Sequence, residues 1–196
     1  MKIEIPKETK IVIIEGIAGS GKTTLRRFLR HQFKNRAVFE FKEEELFLSW
    51  KHIHMPRVSA LRLAYLHRFL DYLEDKLKEG SDSLFILERF HLSLKLLEWE
   101  FEDGFEADYQ SLLTRLKRLP IYILIVELTP SAIRERMYHR ERSRQWIYFI
   151  KEKLALRGFE DLESLSIIQQ KNYFKLATEQ GMPFAAVHVE LDNQGT

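Results

Sequence analysis

Residues 16–23 read Gly-Ile-Ala-Gly-Ser-Gly-Lys-Thr, and a second threonine, Thr24, follows them. The pattern G-x-x-x-x-G-K-[ST] can cradle a chain of phosphates, and each part contributes for its own reason. Gly16, Gly19 and Gly21 let the backbone bend until successive N–H groups, that of Ser20 among them, face one anion. Lys22 brings a compact positive charge to the β- and γ-phosphates of a nucleotide. The Thr23 hydroxyl is a hard oxygen suited to Mg²⁺. A chance match in a chain this long is an event of roughly one per cent. A glycine-rich turn that binds nothing would not call for Gly-Lys-Thr at this register.

Three further groups of residues have spacings that suit chemistry on phosphates. Arg136, Arg140 and Arg144 recur every four residues with Arg142 among them, which predicts a basic stripe along one helix face. A lid of about residues 134–146 could bring that stripe over a bound nucleotide and exclude water. The plain alternative is a solvated basic face partly neutralised by Glu135 and Glu141. Glu88 and Arg89 follow the apolar run Ser83 to Leu87, so they should emerge at the C-terminal end of a strand, where open parallel sheets place ligands. Glu43, Glu44 and Glu45 follow another short strand. Such a run of glutamates is also what a solvated helix start looks like. His52 and His54 have the spacing of one strand face but no partner ligand, and they read as ordinary loop residues.

The rest of the chain must position these groups. Its 196 residues include 45% hydrophobic ones, with only 8 Gly and 5 Pro, enough for a sizeable core and too few breakers for a disordered or low-complexity chain. Lys plus Arg number 31 against 29 Asp plus Glu, a net charge of +2 that does not argue for nucleic-acid binding. The absence of cysteine removes disulfides, thiolate metal sites and cysteine nucleophiles. The N-terminal stretch is too charged for a secretion signal, and no apolar run is long enough to span a bilayer, so the expectation is a cytoplasmic protein with no membrane partner.

Short apolar runs at Ile11 to Ile14, Ala37 to Phe41, Ser83 to Leu87, Ile121 to Val126 and Phe184 to Leu191 predict a five-stranded parallel sheet with helices on both faces. Helix-period segments fall between them, from Lys22 to Asn35, along Leu63, Leu66, Leu70, Leu73 and Leu77, and from Asp161 to Gln180. Thr129-Pro130 opens another with a cap and a first-turn proline. Residues 95–118 read as an insertion or as two more helices. The expectation is one α/β domain over residues 1–196.

Residues 12–29 resemble the start of the thymidylate kinase and deoxynucleoside kinase group. Glu88-Arg89-Phe90-His91-Leu92-Ser93 is similar to that group's Asp-Arg-x-x-x-Ser or Glu-Arg-Ser segment, and the run from Arg136 to Arg142 to its arginine-rich lid. No Asn-Lys-x-Asp segment for guanine recognition by a GTPase is present. The resemblance implies a three-layer P-loop kinase fold. It also implies transfer of the γ-phosphoryl of ATP, with Mg²⁺, to a nucleoside monophosphate or a (deoxy)nucleoside, and a homodimer. It places ATP on the phosphate loop and Arg136, Mg²⁺ on Thr23 and Glu88, and the transferring group among Lys22, Arg89, Arg140 and Arg142. Arg89 would bridge to the acceptor, and Arg68 would contact the acceptor's base.

Two registers compete after the second strand. The thymidylate kinase pattern Arg-Glu-Pro-Gly matches Lys42 and Glu43, whereas the deoxynucleoside kinase spacing of Glu to Trp points to Glu45 and Trp50. In the second family that glutamate takes the proton of the 5′-hydroxyl. The sequence departs from ordinary thymidylate kinases at Ala18, where they carry Asp, and at Leu97-Glu98, where they carry Tyr-Gln. A kinase for another small molecule, or an ATP-binding sensor without transfer activity, are the alternatives these departures leave.

Overall fold

The computed structural model describes residues 3–46, 58–80, 82–97, 104–138, 148, 154 and 158–189. Its strands are β1 (Ile11–Glu15), β2 (Ala37–Phe41), β3 (Ser83–Glu88), β4 (Ile121–Glu127) and β5 (Phe184–His188). They form one sheet in the order β2-β3-β1-β4-β5, and every neighbouring pair is parallel. The described helices are α1 (Lys22–Gln32), α2 (Glu43–Leu46), α3 (Val58–Lys78), α4 (His91–Leu97), α5 (Phe105–Leu116), α6 (Pro130–Met137) and α7 (Leu162–Gln180).

The continuous apolar strands follow from burial on both faces. In β1, Ile11 and Ile13 join a core with Phe85, Leu87, Ile123, Ile125 and the inner faces of α3, α5 and α7. Val12 and Ile14 point the other way, into a second core with Leu84, Ile86, Leu124, Val126 and with Leu25 and Leu29 of α1. Alternation along each strand thus feeds two cores, and the result is a three-layer α/β fold. In α3 the leucines at 63, 66, 70 and 73 are all buried, as their helical spacing requires.

Helix ends follow local chemistry. Thr129 caps α6 by accepting from the Ala132 N–H at 3.3 Å, with Pro130 in the first turn. Asp161 caps α7 through the Ser164 N–H at 2.7 Å, and Gly181 ends it at φ 63°. Two boundaries differ from expectation by more than one residue. α1 stops at Gln32, because Phe33 leaves helical geometry (φ −103°, ψ 26°) and the Arg36 N–H turns back to the Phe33 carbonyl at 2.9 Å. β5 stops at His188, opposite the last residue of β4, with one more backbone bond from the Val189 N–H to the Glu127 carbonyl. Residues 95–118 hold the end of α4 and all of α5. α6 closes at Tyr138, so Arg136 is its last arginine, and the expected lid beyond it lies outside the described residues. Among the described residues no helix is long and apolar enough to cross a membrane.

The strand order places β1 in the centre, with β3 on one side and β4 on the other. The connection after β1 leads to β2 on one side of the sheet and the connection after β3 passes to β4 on the other, and ligands of open α/β sheets sit at such a switch point. Register pairing sets Ile14 beside Glu88, so the ends of β1 and β3 come out together.

Candidate active site

The glycine-rich loop of residues 16–21 leaves β1 and enters α1. Gly16 has φ 143°, and a Cβ there would meet the Val126 carbonyl oxygen at 2.9 Å, so the end of β4 admits only glycine. Gly21, at φ 98°, forms the N-cap of α1 without a side-chain cap, which leaves first-turn N–H groups facing the loop. Inside the loop Lys22 is buried, and its Nζ donates to the Ile17 carbonyl at 2.8 Å. Burial pulls the Lys22 ammonium down to about 7. Arg89 adds to that effect, while Glu43, Glu88 and Glu15 oppose it.

Thr23 and Glu88 meet across the gap between α1 and β3. The Thr23 hydroxyl donates to Glu88 Oε1 at 2.6 Å, while Glu88 Oε2 receives Arg26 Nε at 3.0 Å. Arg26 also reaches Glu40 at 3.0 Å, and Arg30 closes the chain on the second Glu40 oxygen at 2.9 Å. Arg26 and Glu88 are both almost fully buried, and such a pair holds only where both ions are otherwise satisfied, as they are here. The paired hydroxyl and carboxylate are hard oxygens, a donor set that fits Mg²⁺ retaining part of its water shell. Among the described residues there is no cluster of three or more His, Cys, Asp or Glu side chains placed for a metal ion.

Arg89 follows Glu88 and is buried beneath the loop. Its Nε stands 2.6 Å from Glu43 Oε1, an ion pair that joins the end of β3 to the start of α2. On the other edge of the guanidinium, Nη1 donates to Tyr173 Oη at 3.0 Å and to Ser93 Oγ at 3.3 Å. Burial works against the Arg89 charge, but Tyr173, Glu43 and Glu15 outweigh it and raise its pKa. Glu15, the last residue of β1, is completely buried and accepts from the Phe90 N–H at 2.9 Å, the Ser93 N–H at 3.3 Å and the Ser93 hydroxyl. Burial pushes the Glu15 carboxyl up, and the Ser93 hydroxyl, Arg89 and the Phe90 N–H pull it back.

Gly16, Gly19, Ser20, Gly21, Lys22, Thr23, Glu43, Glu88 and Arg89 therefore share one end of the sheet. Arg136 joins them from α6, with Nη1 donating to the Gly19 carbonyl at 3.1 Å. Thr24 is exposed on the first turn of α1. Glu45 turns back to accept from the Lys42 N–H at 2.8 Å, with half of its side chain exposed, so Glu43 is the glutamate that meets Arg89. Arg68 lies on the outside of α3, 87% exposed and paired with Asp71 at 3.2 Å. Arg140, Arg142, Arg144, Trp50, His52, His54 and Glu98 lie outside the described residues.

Three participants had not been singled out from the sequence. Glu15 carries a signal that could have found it, being an acidic residue on a strand buried at every position. Arg26 follows Lys22 by one helical turn on a buried face, a weaker signal. Tyr173 had none, since its role depends on where α7 packs.

No protein-family model and no curated protein sequence matches the chain. Solved structures do resemble it. The thymidylate kinase of Candida albicans is 12% identical, with 95% of this chain and 87% of that one covered, at a TM-score of 0.55. The YorR protein of Bacillus subtilis, solved in complex with phosphorylated GDP, is 16% identical, with 91% of this chain and 85% of that one covered, at a TM-score of 0.50. At these identities the likeness is one of fold, and the chain has the three-layer α/β fold of the thymidylate kinase group.

Proposed function

We propose that this chain, built on the thymidylate kinase fold, is an ATP- and Mg²⁺-dependent phosphotransferase acting on a nucleoside monophosphate or a (deoxy)nucleoside. The observation that carries the reading is the convergence of Lys22, Thr23, Glu88 and Arg89 at the adjoining ends of β1 and β3. Transfer of a phosphoryl group demands positive charge around its equatorial oxygens and an oriented acceptor, with little covalent work for the protein.

The loop N–H groups and the N-terminus of α1 would bind the phosphates of ATP, with Lys22 on the β- and γ-groups and Arg136 at the rim. Thr23 and Glu88 would hold Mg²⁺, which would supply positive charge to offset that of the phosphates. Arg89 would orient the acceptor oxygen. If that oxygen belongs to a 5′-hydroxyl, Glu43 is the carboxylate beside it and would take its proton. If it belongs to a monophosphate, the nucleophile is already anionic and needs the arginine rather than a base.

The test is ADP formation from ATP and Mg²⁺ across a panel of nucleosides and nucleoside monophosphates. Turnover on a panel member is expected to vanish in Lys22→Ala. With a nucleoside acceptor, Glu43→Gln should cost roughly 10²–10⁴-fold in kcat, and with a monophosphate acceptor far less. ATP binding without Lys22-dependent ADP formation on any panel member would overturn the reading in favour of a sensor or of a kinase for another small molecule.

A further inference from the structure

Arg89 has φ 66°, the one positive value among the described non-glycine residues. An L-residue holds that conformation only where its surroundings enforce it, and such positions gather at functional sites. The enforcing group here is a buried cluster from three distant segments: Glu15 at the end of β1, Ser93 in the first turn of α4 and Tyr173 in the middle of α7. All three are completely buried.

Glu15 does not form an ion pair with Arg89. It accepts instead from the N–H of Phe90, the residue directly after Arg89, at 2.9 Å, and from the N–H of Ser93 at 3.3 Å. Those bonds pin the backbone just beyond the positive φ. The Ser93 hydroxyl also donates to Glu15, which leaves Ser93 Oγ as an acceptor toward Tyr173 Oη at 3.0 Å and Arg89 Nη1 at 3.3 Å. Tyr173 Oη in turn accepts from Arg89 Nη1 at 3.0 Å. Donation thus runs in one direction, from the guanidinium through Tyr173 and Ser93 to a carboxylate that can only accept. One edge of the guanidinium is locked by neutral hydroxyls, and Nε is left facing Glu43.

We infer that Glu15, Ser93 and Tyr173 are positioning residues for phosphoryl transfer, fixing the backbone and the guanidinium plane of Arg89 before the acceptor arrives. The inference rests on the proposed role of Arg89 at the acceptor. It extends the site from the phosphate loop into α7, a helix that touches none of the loop residues through these bonds. It also explains why β1 ends in a buried glutamate immediately before Gly16. That residue ties the start of the phosphate loop to the turn bearing Glu88 and Arg89, so the donor and acceptor sides share one anchor.

Tyr173→Phe and Ser93→Ala remove single hydroxyls and leave the packing in place, with Glu15→Gln as the third variant. With ATP, Mg²⁺ and the panel's best acceptor, Tyr173→Phe and Ser93→Ala are each expected to lower kcat roughly ten- to a hundredfold, the KM for ATP staying within about twofold. Tyr173→Phe should add no further loss in an Arg89→Ala background, because both changes remove the same orientation. Unchanged kcat, or losses that multiply with Arg89→Ala, would overturn the inference and leave a merely structural cluster.

A second readout needs no acceptor and separates this inference from the proposed function. Arginine side-chain ¹⁵N NMR of the wild type should show distinct, slowly averaging Nη signals for Arg89, assigned through Arg89→Lys. In the S93A/Y173F double variant these signals should merge. Absence of turnover across the panel would defeat the proposed function, while merging would still uphold the positioning. Distinct signals persisting in the double variant would defeat the positioning whatever the turnover.

Discussion

Lys22 shows how one buried residue couples the proposed phosphate site to stability. In the folded chain burial lowers its pKa from 10.5 to about 7, with Arg89 contributing and Glu43, Glu88 and Glu15 opposing. The unfolded chain keeps the proton up to about 10.5, so between about 7 and 10.5 it binds more protons than the folded one. Stability from this group therefore rises with pH through that window, and the full penalty applies below it. Lys22→Met removes the penalty. The stability difference between wild type and this variant, from urea unfolding at several pH values, should move in favour of wild type from pH 7 to 10. A constant difference would mean that Lys22 keeps its proton in the folded state. A polyphosphate beside Lys22 would favour the charged form, so binding and protonation should reinforce each other.

At the scale of elements, α6 delivers Arg136 to the Gly19 carbonyl, and Thr129 starts that helix. Thr129→Ala should cost about 0.5–2 kcal/mol of stability by urea unfolding, and Thr129→Ser should restore most of it, because the cap is a side-chain oxygen accepting from Ala132. No loss in Thr129→Ala would show that Pro130 alone sets the start of α6. Caps and glycine stops were legible in the sequence because they involve residues a few positions apart. The end of α1 was not, since Arg36 N–H turning back to Phe33 depends on how the chain must enter β2. The choice among Glu43, Glu44 and Glu45 was not legible either. Periodicity treats the three alike, and only the packing of α2 against the end of β3 brings Glu43 to Arg89.

Across the whole molecule, the sheet is covered on both faces, which gives neighbouring residues of β1 equal weight. Ile13 lies in one core and Ile14 in the other, and neither is exposed. Ile13→Ala and Ile14→Ala should therefore each cost about 2–5 kcal/mol by urea unfolding. Were one face of the sheet solvated, one of the two substitutions would be nearly neutral. The same coverage forces the sheet's chemistry to its C-terminal rim, where Glu15, Glu88 and Arg89 emerge.

The strands, the parallel α/β class and the loop of phosphate-binding pattern are legible in contiguous residues: apolar runs for the strands, and Gly16 to Thr23 for the loop. Strand order and the cluster around Arg89 depend on tertiary structure alone. Residues 15, 43, 89, 93 and 173 lie in four separate segments, joined by an ion pair and by hydrogen bonds that span up to 84 positions of the chain. Nothing local encodes such a meeting. It arises when β3 pairs with β1 and α7 packs across α4, at which point a glutamate, a serine and a tyrosine with ordinary neighbours in sequence enclose one arginine.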